Sequence, residues 1–174
     1  MKGRRGSAAC LLIVLACCIG GDVVHARVYE VKLKSSDVLL TTASGAVVVE
    51  TRIPKATRNL RIDFAVVEFY VDQGVNGATF LINFSPVSSF STSGKTFTVK
   101  PGNWPGCAGV RKGSRQLIRM DITSMVREWA ESSETVHGVL HKAPVGDDQT
   151  LSIDTSALGS ETIAVIKIYA TDPR

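Results

Sequence analysis

The chain has 174 residues, with 20 Lys and Arg against 16 Asp and Glu, and only four cysteines. This length fits one ordinary domain with a sizeable apolar core. Cys10, Cys17 and Cys18 lie near the start, which leaves Cys107 alone in the rest of the chain. A framework of disulfides is therefore excluded, and the fold must depend on its core.

The first 26 residues are typical of a secretory signal peptide. A basic start precedes the apolar run 8–19, and the segment 24–26 supplies the small residues of a cleavage site before Arg27. The apolar run is shorter than the roughly 20 residues that span a bilayer. We therefore expect a secreted, extracellular domain over residues 27–174. A membrane-anchored lipoprotein is the alternative, because the residues around Cys17 resemble a lipobox.

Removal of this leader also changes the charge balance. It takes away Lys2, Arg4, Arg5 and Asp22, which leaves 17 basic and 15 acidic residues and a net charge of +2. General attraction to nucleic acid does not follow from so small an excess, and no nucleic-acid partner is expected.

Beyond the leader, short β-branched segments alternate with turn residues. In the first, Val28, Glu30 and Lys32 are expected on one face of a strand, and the alternation near 60–65 predicts that Leu60, Ile62 and Phe64 share a face. Clusters of Gly, Ser and Pro at 85–95 and 101–114 predict loops. About nine strands at this spacing indicate an antiparallel sandwich or barrel. The predicted strands are 28–33, 46–53, 60–71, 78–84, 96–99, 117–122, 136–141, 149–153 and 162–169.

One segment, Thr123 to Ala130, has the spacing of a helix. Thr123 is expected to be its N-cap, because a hydroxyl can accept a hydrogen bond from an otherwise unpaired amide. Ile122, Val126 and Trp129 fall on one side, so Trp129 is expected in the core. The alternative is that Trp129 is a surface platform for a sugar.

The run from Leu117 to Trp129 resembles the "D-V-T-x-x-V-x-x-W" segment of DNRLRE-type domains, which are secreted jelly-roll modules. The segment 138–143 is similar to the glycine-led strand that follows it in that family, and 64–71 and 164–169 are similar to two further strands. Growth-factor prodomain sandwiches share this arrangement. The resemblance implies an all-β, antiparallel β-sandwich of jelly-roll type with one short helix, and a carbohydrate-binding role.

Two groups of residues are candidate metal sites. His137 and His141 form H-x-x-x-H, but four residues of strand span about 13 Å, too far for both to reach one zinc ion. Asp147, Asp148 and Asp154 with Gly146 lack the order of an EF-hand, which leaves a looser structural calcium site as the alternative to a solvated turn. No other cofactor is expected.

No motif for nucleophilic catalysis is present, and we expect a protein that is not an enzyme. The sequence lacks the G-x-S-x-G elbow of acyl transfer. Cys107 has basic neighbours at Arg111 and Lys112, which could favour its thiolate, but no motif brings a histidine to it. A buried thiol, or a homodimer joined through Cys107, is the simpler expectation.

Two basic groups supply the candidate ligand contacts. The first contains Arg52, Lys55, Arg58 and Arg61, and the second Arg111, Lys112, Arg115 and Arg119. Arginine matches planar carboxylates and sulfates with paired hydrogen bonds, and Trp104 beside the second group could stack on a sugar. We therefore predict a binding module for a polysaccharide or an acidic cell-surface polymer, with contacts from Trp104, Arg111, Lys112, Arg115, Arg58 and Arg61. The alternative is an extracellular structural or assembly protein that makes protein–protein contacts.

Overall fold

The computed structural model describes residues 26–43, 45–71, 80–102, 107–110, 115–132, 135–143 and 161–173. Most of the expected leader therefore lies outside the described residues. None of the described helices is long and apolar enough to cross a membrane. The strands are β1 Ala26–Lys34, β2 Val38–Thr41, β3 Val47–Thr51, β4 Arg61–Val71, β5 Phe80–Ser91, β6 Thr96–Val99, β7 Cys107–Val110, β8 Gln116–Asp121, β9 Val136–Ala143 and β10 Thr162–Thr171.

The strands form two sheets, in which every pairing is antiparallel. Sheet A has the order β1-β10-β4-β8, and sheet B has the order β2-β3-β9-β5-β6, with β7 also paired to β5. The chain crosses from one sheet to the other after β1, β3, β4, β7, β8 and β9, and the first strand pairs with the last. This alternation is the connectivity of a jelly roll, so the predicted β-sandwich is confirmed.

The inner faces of the two sheets meet in one apolar core. Its large members include Phe69 from sheet A and Phe84 from sheet B, neither of which is exposed to solvent. Trp129 packs edge-on against Phe84, with ring centroids 6.2 Å apart. Each fully buried large side chain contributes about 2 kcal/mol to folding. The prediction that Trp129 is a core residue is therefore confirmed, and the surface-platform alternative is wrong.

The predicted helix is present as α1, Thr123–Glu131, but the expected N-cap is wrong. Ile122 occupies the N-cap position. The Thr123 hydroxyl instead accepts a hydrogen bond from the backbone N–H of Ala65 at 2.9 Å, while the backbone N–H of Ile122 donates to the Ala65 carbonyl. Asp121 accepts the Thr123 backbone N–H at 2.9 Å. Thr123 therefore satisfies a strand amide across the fold rather than its own helix.

The expected loops at 85–95 and 101–114 are wrong in part. β5 continues through Pro86 to Ser91, and the second region contains β7. Pro86 lies where β5 changes its partner, since the pairing with β9 ends at Pro86 and the pairing with β6 begins at Val87. The Pro86 carbonyl accepts the backbone N–H of Lys100 at 2.8 Å. Proline lacks a backbone N–H, and at such a change of partner the strand ladder does not need that donor.

Candidate ligand-binding face

The outer faces of the two sheets differ in what covers them. Sheet B carries a small apolar cluster of Leu40, Ala46, Val48 and Val139, against which the aromatic rings of the β5–β6 hairpin pack. Sheet A keeps large apolar side chains in solvent. Among the described residues, the exposed large hydrophobic side chains are Leu81 on sheet B and Val28, Phe64, Leu117 and Tyr169 on sheet A.

Three of these side chains form one row across sheet A, which we call the apolar row. Val28 lies opposite Tyr169, and Tyr169 lies opposite Phe64, on the adjacent strands β1, β10 and β4. Their exposed fractions are 41%, 38% and 43%, respectively. The rings of Phe64 and Tyr169 are 5.8 Å apart and inclined by 36°. Two neighbouring exposed rings of this kind offer an amphipathic surface to a flat ligand.

A β-bulge explains why Phe64 faces solvent. Tyr169 pairs with Phe64, but the next residue, Ala170, pairs with Ile62, so Asp63 is an extra residue in β4. The bulge reverses the alternation, so that Ile62 is buried while Phe64 is exposed. The prediction that Ile62 and Phe64 share a face is therefore wrong, because strict alternation cannot anticipate an inserted residue.

The bulge is held by hydrogen bonds from the surrounding elements. From α1, the Arg127 Nε donates to the Ile62 carbonyl at 2.9 Å. From β10, the Thr171 hydroxyl donates to Asp63 Oδ2 at 2.9 Å, and Arg61 Nε lies 2.7 Å from Asp63 Oδ1. Burial opposes ionisation of Asp63, but the hydrogen bonds from Thr171 and Arg61 outweigh it and hold the pKa of Asp63 below its ordinary value.

An open cleft lies beside the apolar row, near the bulge at Asp63. We call it the arginine cleft. Its volume is about 580 Å³, and its lining comes from the segment before β4 and the end of β10: Arg58, Asn59, Leu60, Arg61, Thr171, Asp172 and Pro173. The Arg61 side chain is 71% exposed. Arg58 Nη2 donates to the Ser132 carbonyl at 3.2 Å, and Arg27 pairs with Asp172 at 3.2 Å. Two of the predicted contact residues, Arg58 and Arg61, therefore share one cleft.

The third described contact residue, Arg115, lies at the other end of sheet A. Its guanidinium carbon sits 5.1 Å from the ring centroid of Tyr70, near the end of β4. Tyr70 pairs with the exposed Leu117 on β8. The six residue steps from Phe64 to Tyr70 correspond to about 20 Å of strand. Arg115 is thus on the same outer face as the apolar row but well separated from the arginine cleft.

An ion-pair network occupies the middle of this face. The Glu68 carboxylate lies 2.7 Å from Arg119 Nε and 2.7 Å from Lys167 Nζ. Burial opposes ionisation of Glu68, but hydrogen bonds from Lys167 and Arg119 outweigh it and hold the pKa of Glu68 below its ordinary value. The hydrogen bond to Glu68 raises the pKa of Lys167. The charges at the centre therefore largely compensate one another. Sequence reasoning missed this network, because it depends on the register of three strands.

Several predicted residues lie outside the described part of the chain. These are the ligand contacts Trp104, Arg111 and Lys112, and the calcium candidates Gly146, Asp147, Asp148 and Asp154. The predicted strand 149–153 also lies outside the described residues. Within the described residues, no group of three or more His, Cys, Asp or Glu side chains is arranged to hold a metal ion.

The histidines lie on a strand, as the sequence predicts. His137 and His141 are both in β9, four residues apart. His141 is buried, and its Nε2 lies 3.2 Å from the Ser85 hydroxyl, while His137 Nε2 lies 4.0 Å from Glu50.

The register places Cys107 opposite Asn83 and Asn83 opposite His141. The backbones of Cys107 and His141 are therefore two strand spacings apart, about 10 Å.

Comparison with known proteins adds little to the description of this site. No family model matches the sequence, and no curated protein matches it. A solved structure of the Tobacco streak virus coat protein is similar to the chain with a TM-score of 0.37 and 9% sequence identity. That similarity covers 84% of this chain and 87% of the coat protein chain.

Proposed function

We propose that this chain is a secreted, non-catalytic binding module that recognises an acidic carbohydrate or another acidic cell-surface polymer. The observation that carries the proposal is the apolar row of Val28, Tyr169 and Phe64 beside the arginine cleft. Together they offer an apolar platform and a cationic pocket within one patch of surface.

The apolar row supports a carbohydrate ligand because it carries two neighbouring exposed aromatic rings. The C–H faces of a sugar ring are apolar, and they pack on the electron-rich face of an aromatic side chain. The Phe64 and Tyr169 rings lie side by side rather than inside a pocket, which suits a ligand that approaches along the sheet. The bulge at Asp63 adds to this support, because bulges frequently re-aim a side chain beside a binding site.

The arginine cleft supports an acidic ligand. This end of sheet A has more arginines than carboxylates. The arginines are Arg27, Arg58, Arg61 and Arg127, and the carboxylates are those of Asp63 and Asp172. The two aspartates are each engaged by an arginine, which favours a binding role over acid–base catalysis. A guanidinium donates paired hydrogen bonds to carboxylate or sulfate, and Arg61 is exposed enough to do so.

The experiment is a binding screen of the purified chain against neutral and acidic polysaccharides, including polygalacturonate and heparin. We expect saturable binding to acidic members that weakens as salt rises, because part of the attraction is between exposed charges. The double variant Arg58→Ala with Arg61→Ala should weaken binding and flatten its salt dependence. Lys95→Asn is the control, because it removes one exposed charge from the β5–β6 hairpin on sheet B.

A folded chain that binds none of these polymers would contradict the proposal. So would equal binding by the Arg58/Arg61 variant and the Lys95 variant, because the cleft would then have no part in recognition.

The second candidate function is a structural or assembly role. Its support is the position of β1 at the edge of sheet A, where β10 is its one hydrogen-bonded neighbour among the described strands. An unpaired edge can add a strand from another chain, although Lys32 and Lys34 on β1 are of the kind that discourages it. A reducible dimer on a non-reducing gel, formed through Cys107, would favour this role.

A further inference from the structure

We infer that a linear acidic polysaccharide lies along the whole outer face of sheet A and is held at both ends of that face. This inference rests on the proposed function and goes further, because it specifies an extended polymer rather than a short sugar. It assigns Arg115, Tyr70 and Leu117 to a second contact region, which we call the distal contact.

The distal contact repeats the composition of the first. At the apolar row, two rings stand beside the arginine cleft. At the distal contact, the Tyr70 ring stands beside Leu117, which is 37% exposed, and Arg115 lies over that ring. Each end therefore brings an arginine together with an aromatic ring, and an arginine suits a sugar that bears a carboxylate or sulfate.

The two ends lie on one face and along one strand. Phe64, Glu68 and Tyr70 occupy even positions of β4, while Ala65, Val67 and Phe69 form part of the core. About 20 Å of strand separates Phe64 from Tyr70. A single sugar ring cannot touch both, but an extended chain that runs parallel to β4 can.

The strand residues between the two ends are less exposed than those at the ends. Val66, Val165 and Glu68 are 6%, 8% and 8% exposed, whereas Phe64 and Leu117 are 43% and 37% exposed. The side chains of Arg119 and Lys167, which are 63% and 27% exposed, lie against Glu68 at this centre. At this centre the charge of Glu68 is compensated by its ion pairs with Arg119 and Lys167.

Two weak contacts on one polymer produce a dependence of affinity on chain length. Once the first end is bound, the second contact is intramolecular, and affinity rises well above that of either end alone. We expect at least a tenfold gain when the oligosaccharide becomes long enough to span the distance from Phe64 to Tyr70. Further lengthening should add little per binding site.

The experiment measures the dissociation constants of size-graded oligogalacturonides and size-graded heparin fragments for the purified chain. Three proteins are compared: the unchanged chain, Arg115→Ala and Lys95→Asn. In whichever series binds, we expect a step in affinity with length. Arg115→Ala should remove most of that step while leaving the affinity of the shortest binding fragment within twofold, and Lys95→Asn should leave both unchanged.

The outcomes separate this inference from the proposed function. Binding that is weakened by loss of Arg58 and Arg61, but that has no step with length or an unchanged step in Arg115→Ala, would overturn the two-ended site and leave the binding module intact. Failure of both series to bind the folded chain would overturn both. Thermal unfolding of each variant establishes that it is folded.

Discussion

Gly138 offers a sharp test of how the core is packed. It lies in β9 opposite Pro86, and a Cβ added to it would stand 2.4 Å from Phe84 Cζ and about 3 Å from the two neighbouring ring carbons. Phe84 is fully buried, and its ring meets Trp129 edge-on. The ring therefore cannot swing into solvent, and Gly138→Ala must displace it within the core.

The expected cost follows from the size of this clash. Overpacking a core by one carbon typically costs about 1–3 kcal/mol. For a protein of this length, about 1 kcal/mol lowers the melting temperature by roughly 2–4 °C. We therefore expect Gly138→Ala to melt at least about 2 °C below the unchanged chain. Gly109→Ala is the control, because no atom lies within 4 Å of the Cβ that it would add.

Chemical denaturation and thermal unfolding measure both variants, and the double variant Gly138→Ala with Phe84→Leu tests the cause. Phe84→Leu removes the ring atoms that clash, so the cost of the Gly138 change should be smaller in that background. Equal stability of Gly138→Ala and Gly109→Ala would refute the packing described here. So would additive effects of the Gly138 and Phe84 changes.

The remaining stability predictions concern two polar contacts. Glu68→Gln should cost about 1–2 kcal/mol at pH 7, because it weakens the pairing with Arg119 and Lys167. Folding lowers the pKa of Glu68 below its ordinary value of 4.5, so its contribution is present above that pH and lost as pH falls through the folded value. Unfolding curves of both proteins should therefore converge in acid, and a constant difference from pH 7 to pH 3 would contradict this. Thr123→Ala should cost about 1–2 kcal/mol by leaving the Ala65 amide unpaired, whereas Thr123→Ser keeps the hydroxyl; equal losses would show that the methyl group matters instead.

The alternation of apolar residues was sufficient to predict most of the fold. It located eight of the strands and the helix, because each buries a regular face: Ile118 and Met120 point inward from β8, and α1 buries Val126 and Trp129. It failed where the chain departs from that regularity. The bulge at Asp63 reverses the faces of β4, and Pro86 lies inside a long strand where composition indicates a loop.

The candidate site was only partly predictable. The arginines at 58 and 61 were found by their charge, but their neighbours Phe64 and Tyr169 read as ordinary strand residues. Only the register of β4 against β10 brings those rings together. The separation of Arg115 from Arg61 is likewise a property of the antiparallel register of β8 against β4 and not of any local pattern.

The central claim is that the outer face of sheet A binds an acidic polymer through its exposed rings. The most direct test is the affinity of Phe64→Ala with Tyr169→Ala for polygalacturonate and heparin, beside the unchanged chain and Leu81→Ala. Leu81 is 49% exposed on sheet B, so its loss controls for removal of surface apolar area. We predict at least a tenfold loss of affinity in the double variant, about 1.4 kcal/mol, and no change in Leu81→Ala. Equal affinity of all three folded proteins, or binding by none, would contradict the account.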